Sequence, residues 1–252
     1  EGGTSVATFS HIRTGLNPET KYFFKGYAVN SAATGLTSES SFFTLSNPPT
    51  SAVSSLVATP ASGEQVNLSW SAASFPSTGA TVNGYVIIRS LYPSVPTLSN
   101  SNGQAAVASS GTTIVSTSVA GTSVTASVEG LTGSTQYNFA VVPFTWDGVN
   151  VATYNYYTTS VPTANTTTLS STPADQPTAL AFTSITCNGM TAGWSAASSN
   201  PTGYIVLQNS GVTSPNTNPA NGTVYSINNT IGNATVIYVG SGSSVALTAL
   251  AD

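Results

Sequence analysis

The pentapeptide Trp70-Ser71-Ala72-Ala73-Ser74 occurs a second time, at Trp194–Ser198. The Trp of each copy ends a stretch in which larger residues alternate with small ones, Val66–Trp70 and Met190–Trp194. This is the pattern of a strand with one buried face. Each copy also precedes an apolar segment that begins with Gly-Tyr, Gly84–Ile88 in one case and Gly203–Leu207 in the other. The repetition predicts two equivalent units, each with the same pair of neighbouring β-strands.

A second repeat links the start of the chain to its middle. Gly15-Leu16 precedes Tyr22 at the same spacing as Gly130-Leu131 precedes Tyr137. In β-sandwiches, a tyrosine near the start of the sixth strand hydrogen-bonds back to the chain a few residues upstream. Tyr22 and Tyr137 are therefore predicted to be corner residues of two sandwiches.

Two proline-containing stretches, Ser46–Thr50 and Ser171–Pro177, interrupt the strand pattern and are predicted to be linkers. They divide the chain into residues 1–47, 51–168 and 173–252. The middle unit is predicted to be a complete sandwich, and the two end units are predicted to be partial. The seven strands predicted for the middle unit are Leu56–Ala58, Val66–Trp70, Tyr85–Arg89, Thr113–Ser116, Val124–Val128, Tyr137–Pro143 and Tyr156–Thr159.

The end units contain different parts of the same series. The first has only the last three strands, predicted at Val6–Ile12, Tyr22–Val29 and Ser41–Leu45, whereas the third has the opening strands and stops at Ala249-Leu250.

These segments resemble fibronectin type III-like domains, particularly those of large secreted and surface proteins of Bacteroidetes bacteria. The resemblance implies tandem immunoglobulin-like β-sandwiches that serve as spacers, adhesins or ligand binders. The integrin-binding motif Arg-Gly-Asp is missing from this sequence, so that role is not implied. The residues that carry the resemblance are Trp70, Trp194, Leu16–Tyr22, Leu131–Tyr137, Asn221–Tyr225, Val236–Gly240 and Ser244–Thr248.

Composition restricts the function. Charged residues make up 5% of the 252 residues, against roughly 25% in an average soluble protein. Four Lys and Arg residues and a net charge of −4 cannot form a nucleic-acid-binding patch. A hydrophobic fraction of 40% is sufficient for folded cores. No apolar run is long enough to span a membrane, so no membrane insertion is predicted.

Catalysis is not predicted. Glu64 and Glu129 could be proposed as a glycosidase pair. However, Glu64 follows Ser62-Gly63 in a turn before a strand and Glu129 precedes the corner Gly130-Leu131, so both are predicted to be solvated turn residues. His11 has no acid or nucleophile at a motif spacing. Cys187 is the only cysteine and is predicted to be a small buried residue. Neither a metal site nor a cofactor is predicted.

Aromatic residues near the end of the middle unit are the candidate ligand-binding residues. Asp147-Gly148 is predicted to form a hairpin turn, with Trp146 directly before it. Tyr154 and Tyr156 would share one strand face. Such aromatics stack on sugar rings, although a Trp that covers the end of the core is the alternative. Trp146, Asp147, Tyr154 and Tyr156 are therefore the predicted binding residues.

One strand of the first unit is apolar on both faces. Phe23, Tyr27 and Val29 alternate with other apolar residues, which predicts contact with a neighbouring element.

Three functions are compatible with this pattern. The first is a non-enzymatic structural or adhesive stalk segment of a large extracellular or cell-surface bacterial protein, whose partners are neighbouring domains of the same long chain and surface glycans. The second is an ancillary spacer or carbohydrate-binding module of a secreted polysaccharide-degrading enzyme. The third is a filament subunit that assembles with other copies of itself. One prediction argues against this third function: both ends carry the same fifth strand, Val6–Ile12 and Val245–Leu247, so they would overlap rather than complement each other.

Overall fold

The computed structural model of the chain describes residues 10–99, 102–199 and 201–248. Within these ranges the chain is all-β, apart from one short 3-10 turn, and it consists of tandem fibronectin type III-like sandwiches. No helix in the described ranges is long and apolar enough to cross a membrane. The chain divides into two compact units, Glu1–Ala61 with Gln65–Leu131 and Thr135–Thr168, and a second made mainly of Leu169–Asp252.

The first part of unit one is a long, interrupted β-hairpin, residues 21–43, here called the N-terminal hairpin. In it, β1 (Lys21–Phe24) pairs with β4 (Ser40–Phe43), and β2 (Tyr27–Val29) pairs with β3 (Thr34–Leu36), both antiparallel. At the interruption, the backbone N–H of Gly26 donates to Thr37 Oγ1 at 2.9 Å. Tyr22 OH accepts a hydrogen bond from the backbone N–H of Asn17 at 2.9 Å, which confirms the predicted corner at Tyr22.

The middle sandwich follows and has two sheets. Its strands are β5 (Ser54–Pro60), β6 (Val66–Ser71), β7 (Val82–Leu91), β8 (Thr112–Ala120), β9 (Thr125–Val128), β10 (Gln136–Trp146), β11 (Asn155–Tyr156) and β12 (Thr163–Thr167). One sheet has the order β5-β6-β9, and the other has β11-β10-β7-β8 with β12 also paired to β10.

The predicted seventh strand, Tyr156–Thr159, is misplaced. The strand that runs beside β10 is β12, with pairs from Gln136–Thr167 to Ala140–Thr163. Tyr156 belongs instead to β11, which pairs with only two residues at the far end of β10. Aromatic residues favoured the wrong segment, because the true edge strand is short and rich in threonine and has few apolar side chains.

The core of the middle sandwich lies between its two sheets. Trp70, Tyr85 and Phe139 are all buried in it. The rings of Trp70 and Tyr85 meet edge to face, with centroids 5.5 Å apart. Tyr85 OH accepts a hydrogen bond from the backbone N–H of Ala73 at 3.0 Å, so the repeated pentapeptide is fastened to strand β7.

The C-terminal module, in unit two, repeats this arrangement. Trp194 and Tyr204 meet edge to face at 5.6 Å, and Tyr204 OH accepts from the backbone N–H of Ala197 at 3.0 Å. Its strands are β13 (Thr178–Thr183), β14 (Gly189–Ser195), β15 (Tyr204–Gln208), β16 (Thr230–Ile231), β17 (Ala234–Gly240) and β18 (Ser244–Thr248). Its sheets have the orders β13-β14-β18 and β15-β17-β16.

Even an irregularity is repeated. The pairing of β5 with β6 shifts between Ser54 and Val57, and that of β13 with β14 shifts between Thr178 and Ala181. Within the described residues, however, the C-terminal module has no counterpart of β10 and β12. The described C-terminal module therefore contains counterparts of the first five strands of the middle sandwich, but not of its last ones.

Several predictions about the end units need correction or fall outside the described part. In the predicted strand Val6–Ile12, residues 6–9 lie outside the described residues and residues 10–12 are not in a strand. Ala249-Leu250 also lie outside them. Cys187 is exposed rather than buried, because it lies in the turn between β13 and β14.

The apolar second face of the N-terminal hairpin is not covered as predicted. Phe23, Tyr27 and Val29 are all exposed. Hydrogen bonds to the middle sandwich come from residues that flank the hairpin, such as Glu19 and Ser46.

Candidate functional site

The predicted binding aromatics form a stack, here called the aromatic column: Trp146, Tyr154 and Tyr156. The rings of Trp146 and Tyr154 lie 4.6 Å apart at 13°, and those of Tyr154 and Tyr156 lie 5.5 Å apart at 4°. Trp146 ends β10 and Tyr156 lies in β11, so two paired strands and the loop between them position the three rings. The sequence predicted the shared face of Tyr154 and Tyr156, but not the stacking of Trp146 upon it.

The column packs on a second core, on the outer face of the sheet that contains β7 and β10. Val86, Ile88 and Val142 are buried there, so both faces of these two strands are covered. Tyr156 is itself buried, and its hydroxyl donates to the carbonyl of Gln104 at 3.0 Å. Burial also raises the pKa of Tyr154. The ring faces of the column are thus occupied by one another. This supports the alternative, in which Trp146 covers the core instead of binding a ligand. The binding role of the column stays a prediction.

Asp147 lies in the loop that connects β10 to β11, and this loop is longer than the tight hairpin turn predicted at Asp147-Gly148. Its Oδ1 accepts the backbone N–H groups of Val149 at 2.8 Å and Asn150 at 2.6 Å, and its Oδ2 accepts the Asn150 side chain at 2.6 Å. The loop spans residues 147–154 and includes the 3-10 turn Val151–Thr153. Burial acts to raise the pKa of Asp147, but these hydrogen bonds outweigh it and the pKa is lowered. The Asp147 carboxylate therefore stabilises the loop.

A polar junction that the sequence did not reveal connects the N-terminal hairpin to the middle sandwich. We use "junction" for Glu19, Ser46, Asn47 and the sandwich groups that they contact. The backbone N–H of Ser46 donates to the Thr153 carbonyl at 2.9 Å, and Asn155 Nδ2 donates to the Ser46 carbonyl at 2.7 Å. Ser46 and Asn155 are both buried.

The next residue, Asn47, continues the junction. Its backbone N–H donates to the Gly79 carbonyl at 2.6 Å, and its side chain donates to the Thr78 carbonyl at 2.9 Å. Its own carbonyl accepts the hydroxyl of Thr145, a fully buried residue of β10, at 2.7 Å. Because buried polar groups are costly to leave unpaired, these bonds fix the segment in one position.

Glu19 completes the junction from the hairpin side. Its carboxylate accepts the Ser46 hydroxyl at 2.6 Å, the Thr81 backbone N–H at 2.9 Å and the Thr81 hydroxyl at 2.7 Å. Burial acts to raise the pKa of Glu19, but the hydrogen bonds from Ser46 and Thr81 outweigh it and the pKa is lowered. The partners of the junction lie up to about a hundred residues apart, so no local pattern announced it.

Chemistry-bearing side chains do not converge in the described part of the chain. No group of three or more His, Cys, Asp or Glu that could hold a metal ion occurs there. Glu64, Glu129 and His11 are each exposed. A depression of about 350 Å³ on the outer face of β5, β6 and β9 is lined by uncharged residues alone, among them Asn67, Ser69 and Ser127.

Comparison with known proteins identifies no family for the chain. No protein-family model matches the chain, and no curated protein matches it. Among solved structures, the FN1–FN3 domains of chicken CNTN1 are similar at 16% identity and a TM-score of 0.36, over 92% of this chain and 67% of that one.

Two further solved structures are similar. Domains d3–d4 of the rat CD45 extracellular region match at 17% identity and a TM-score of 0.29, over 66% of this chain and 74% of that one. The central fibronectin III array of RIM-binding protein matches at 15% identity and a TM-score of 0.29, over 80% of this chain and 58% of that one. At these identities the likeness concerns the fold alone.

Proposed function

We propose that the chain is a non-enzymatic structural or adhesive stalk segment of a large extracellular or cell-surface protein, from a bacterium of the Bacteroidetes type that the sequence resembles. The observation that carries the proposal is the junction. A flexible linker would let neighbouring modules rotate freely. Ser46 and Asn47 are instead held by hydrogen bonds at both backbone and side-chain atoms.

The surface also suits an exposed stalk. Only 5% of the residues are charged, so few surface interactions depend on ionic strength. Hydroxyl and amide groups keep such a surface hydrated. A stalk of this composition would hold its modules in place in both dilute and salty surroundings.

The distance between two spin labels tests the stiffness of the junction. Ser41 on β4 and Val57 on β5 are exposed strand residues, and each is replaced by Cys in a Cys187→Ser background. Pulsed electron paramagnetic resonance on the full chain should give one narrow distance distribution. Thr145→Val keeps the volume but removes the bond to the Asn47 carbonyl, so it should broaden the distribution.

Thr125→Val is the matched control, because Thr125 is exposed on β9 and lies outside the junction. It should leave the distribution narrow. A broad distribution in the parent chain would show that the hairpin moves freely on the sandwich, and the stiff-stalk proposal would fail.

The aromatic column supports a second proposal, an ancillary carbohydrate-binding module of a polysaccharide-degrading enzyme. Trp146 and Tyr154 are only half-buried. Calorimetry with cellohexaose and xylohexaose would detect binding. Trp146→Ala and Tyr154→Ala should abolish it, whereas Tyr92→Ala, at an exposed tyrosine elsewhere in the same sandwich, should not. Absence of heat with both sugars would remove this function for these glycan classes.

A further inference from the structure

Four asparagines of the chain are followed directly by glycine: Asn83, Asn102, Asn188 and Asn221. An Asn-Gly dipeptide can modify itself without an enzyme. The backbone nitrogen of the glycine attacks the side-chain carbonyl carbon of the asparagine, and the glycine has no Cβ to hinder this approach. The reaction requires a glycine N–H without a hydrogen-bond acceptor and a backbone that can rotate. The fold therefore determines which of the four sites reacts.

Asn83 is closed to this reaction. Gly84, the residue after it, is buried in β7, where it pairs with Phe144 of β10 on one side and with Ala120 of β8 on the other. The Gly84 nitrogen can reach the Asn83 side chain only if the centre of this sheet opens. Core strands open with free energies that approach that of global unfolding, so the folded chain protects Asn83.

Asn102 is closed for a different reason, because hydrogen bonds hold both of its reacting groups. The backbone N–H of Gly103 donates to the Tyr154 carbonyl at 2.8 Å. Asn102 Oδ1 accepts the backbone N–H of Tyr156, also at 2.8 Å. These contacts fasten the Asn102-Gly103 dipeptide to the aromatic column. Ring closure at Asn102 would have to break both hydrogen bonds.

Asn188 is exposed, but the glycine after it is restrained. Gly189 is the first residue of β14 and pairs with Thr248 of β18. Its carbonyl accepts the backbone N–H of Thr186 at 2.8 Å and the hydroxyl of the same residue at 3.1 Å. The turn between β13 and β14 thus limits the rotation that would bring the Gly189 nitrogen to the Asn188 side chain.

Asn221 is the open site. It lies with Gly222 in a turn of the long loop between β15 and β16, and both residues are exposed. Within the described part of the chain, no hydrogen bond involves the Asn221 side chain or the Gly222 N–H. The side chain nearest to the Cβ position of Gly222 is that of Leu169, which is apolar and offers no acceptor. Neither reacting group is therefore held.

The chain on either side of this dipeptide is held in place. The backbone N–H of Thr223 donates to the Ala220 carbonyl at 3.3 Å, a long hydrogen bond across the turn. The backbone N–H of Ala220 in turn donates to Tyr225 OH at 2.9 Å. Gly222 has a φ of 73°, in the region that favours glycine. The dipeptide can therefore change while the Tyr225 contact keeps the loop attached.

We propose that Asn221 converts itself to aspartate and isoaspartate in the folded chain. The Gly222 nitrogen gives up its proton to solvent and bonds to Asn221 Cγ, and the side-chain nitrogen leaves as ammonia. The product is a cyclic succinimide. Water then opens the ring at one of its two carbonyls, which gives either aspartate or isoaspartate. The net reaction consumes one water and releases one ammonia.

The conversion changes the charge of a nearly neutral module. Asp175 is the only charged side chain in the described residues of the C-terminal module. One conversion adds a second carboxylate there, in a chain whose net charge is −4. The inference goes beyond the stalk function and does not depend on it. A folded chain of this sequence would gain negative charge with age, at one defined turn.

Peptide mapping by mass spectrometry tests the proposal on the full chain. The folded protein is kept in mildly alkaline buffer made with heavy-oxygen water, and all four sites are followed over time. Asn221 should react first and Asn188 more slowly. Asn83 and Asn102 should react at least about a hundredfold more slowly than Asn221, because both must wait for the fold to open. The Asn221 product should contain one solvent oxygen and include isoaspartate, which only the succinimide yields.

Two variants and one reference sample complete the experiment. Asn221→Gln should remove the main acidic species from ion-exchange chromatography, because the longer glutamine side chain closes a ring far more slowly. Asn188→Gln is the matched control at the other exposed Asn-Gly turn, and it should leave that species in place. In the parent chain unfolded by urea, the difference between Asn221 and Asn83 should shrink to less than about tenfold, because the sheet no longer protects Asn83.

Three results would overturn the proposal. Equal rates at Asn221 and Asn83 in the folded chain would show that the reaction proceeds through unfolded molecules. A faster reaction at Asn188 would place the reactive turn between β13 and β14. Aspartate without isoaspartate at Asn221 would indicate direct hydrolysis of the side chain. None of these results bears on the width of the spin-label distribution, so the stalk proposal would stand or fall separately.

Discussion

The middle sandwich and the C-terminal module have the same central contact in different surroundings. Trp70 with Tyr85, and Trp194 with Tyr204, meet at nearly equal distances and angles. Yet Tyr85 is fully buried, whereas Tyr204 is only half-buried. The local contact is therefore formed by the repeated pentapeptide and the Gly-Tyr strand. Its burial depends on β10 and β12, which only the middle sandwich has among the described residues.

The largest expected difference in stability concerns Phe139 on β10 and its counterpart Phe24 in the N-terminal hairpin. Phe139→Ala should lower the free energy of unfolding of the middle sandwich by about 3–5 kcal/mol, because it leaves a cavity in a closed core. Phe24→Ala, at the equivalent but exposed position, should change the stability of the single chain by less than about 0.5 kcal/mol. Urea denaturation at low protein concentration measures both.

Equal losses for the two phenylalanine variants would show that Phe24 is buried in the free chain. The contrast between the closed sandwich and the open hairpin would then be wrong.

A smaller difference is expected for the tyrosine hydroxyls. Tyr85→Phe leaves the Ala73 N–H without its acceptor in a closed core, which should cost about 1–3 kcal/mol. Tyr204→Phe removes the same bond at a half-buried site, where water can replace the acceptor, so the loss should be below about 1 kcal/mol. Thermal unfolding of the two variants, followed by near-ultraviolet circular dichroism, compares them, and a reversed order would contradict an open C-terminal module.

The smallest expected effect is the loss of stability at the junction when the pH is lowered. Glu19 in the junction and Asp175 in the C-terminal module both have lowered pKa values, and the Asp175 shift comes from hydrogen bonds donated by Ser198 and Ser199. A lowered pKa contributes stability above the ordinary carboxyl pKa, and that stability is lost as pH falls through the folded-state pKa. Exchange of the Asn47 amide should therefore accelerate relative to that of Phe139 below about pH 4.

Glu19→Gln is the control for the acid effect. It should remove the pH dependence of the Asn47 amide, after correction for intrinsic exchange. If the parent chain and Glu19→Gln show the same acid response, Glu19 does not govern the junction.

Sequence alone predicted the parts of the fold that repeat. The pentapeptide at Trp70 and Trp194 identified equivalent strands, and the Leu16-to-Tyr22 spacing identified the corner at Tyr22. These signals work because the large side chains and their partners lie close together along the chain. The strand β12 was missed because its pairing with β10 depends on backbone hydrogen bonds and shows little apolar pattern.

Features that depend on distant residues could not be predicted. Ser46 and Asn47 looked like part of a proline linker, yet their partners Thr145 and Asn155 lie about a hundred residues away. The stacking of Trp146 on Tyr154 also depends on how the loop 147–154 returns to β10. Exposed Cys187 was predicted to be buried because cysteine usually is, and its turn gave no contrary signal.

Hydrogen exchange along β7 and β15 tests the central contrast most directly. At micromolar protein concentration, the amides of Val86 and Ile87 should exchange only through global unfolding, because β7 is paired on both sides. The amides of Ile205 and Val206 should exchange at least about tenfold faster, because β15 is an edge strand over an uncovered core. Equal protection of β7 and β15 at that concentration would contradict the account, since it would mean that the C-terminal module is closed within a single chain.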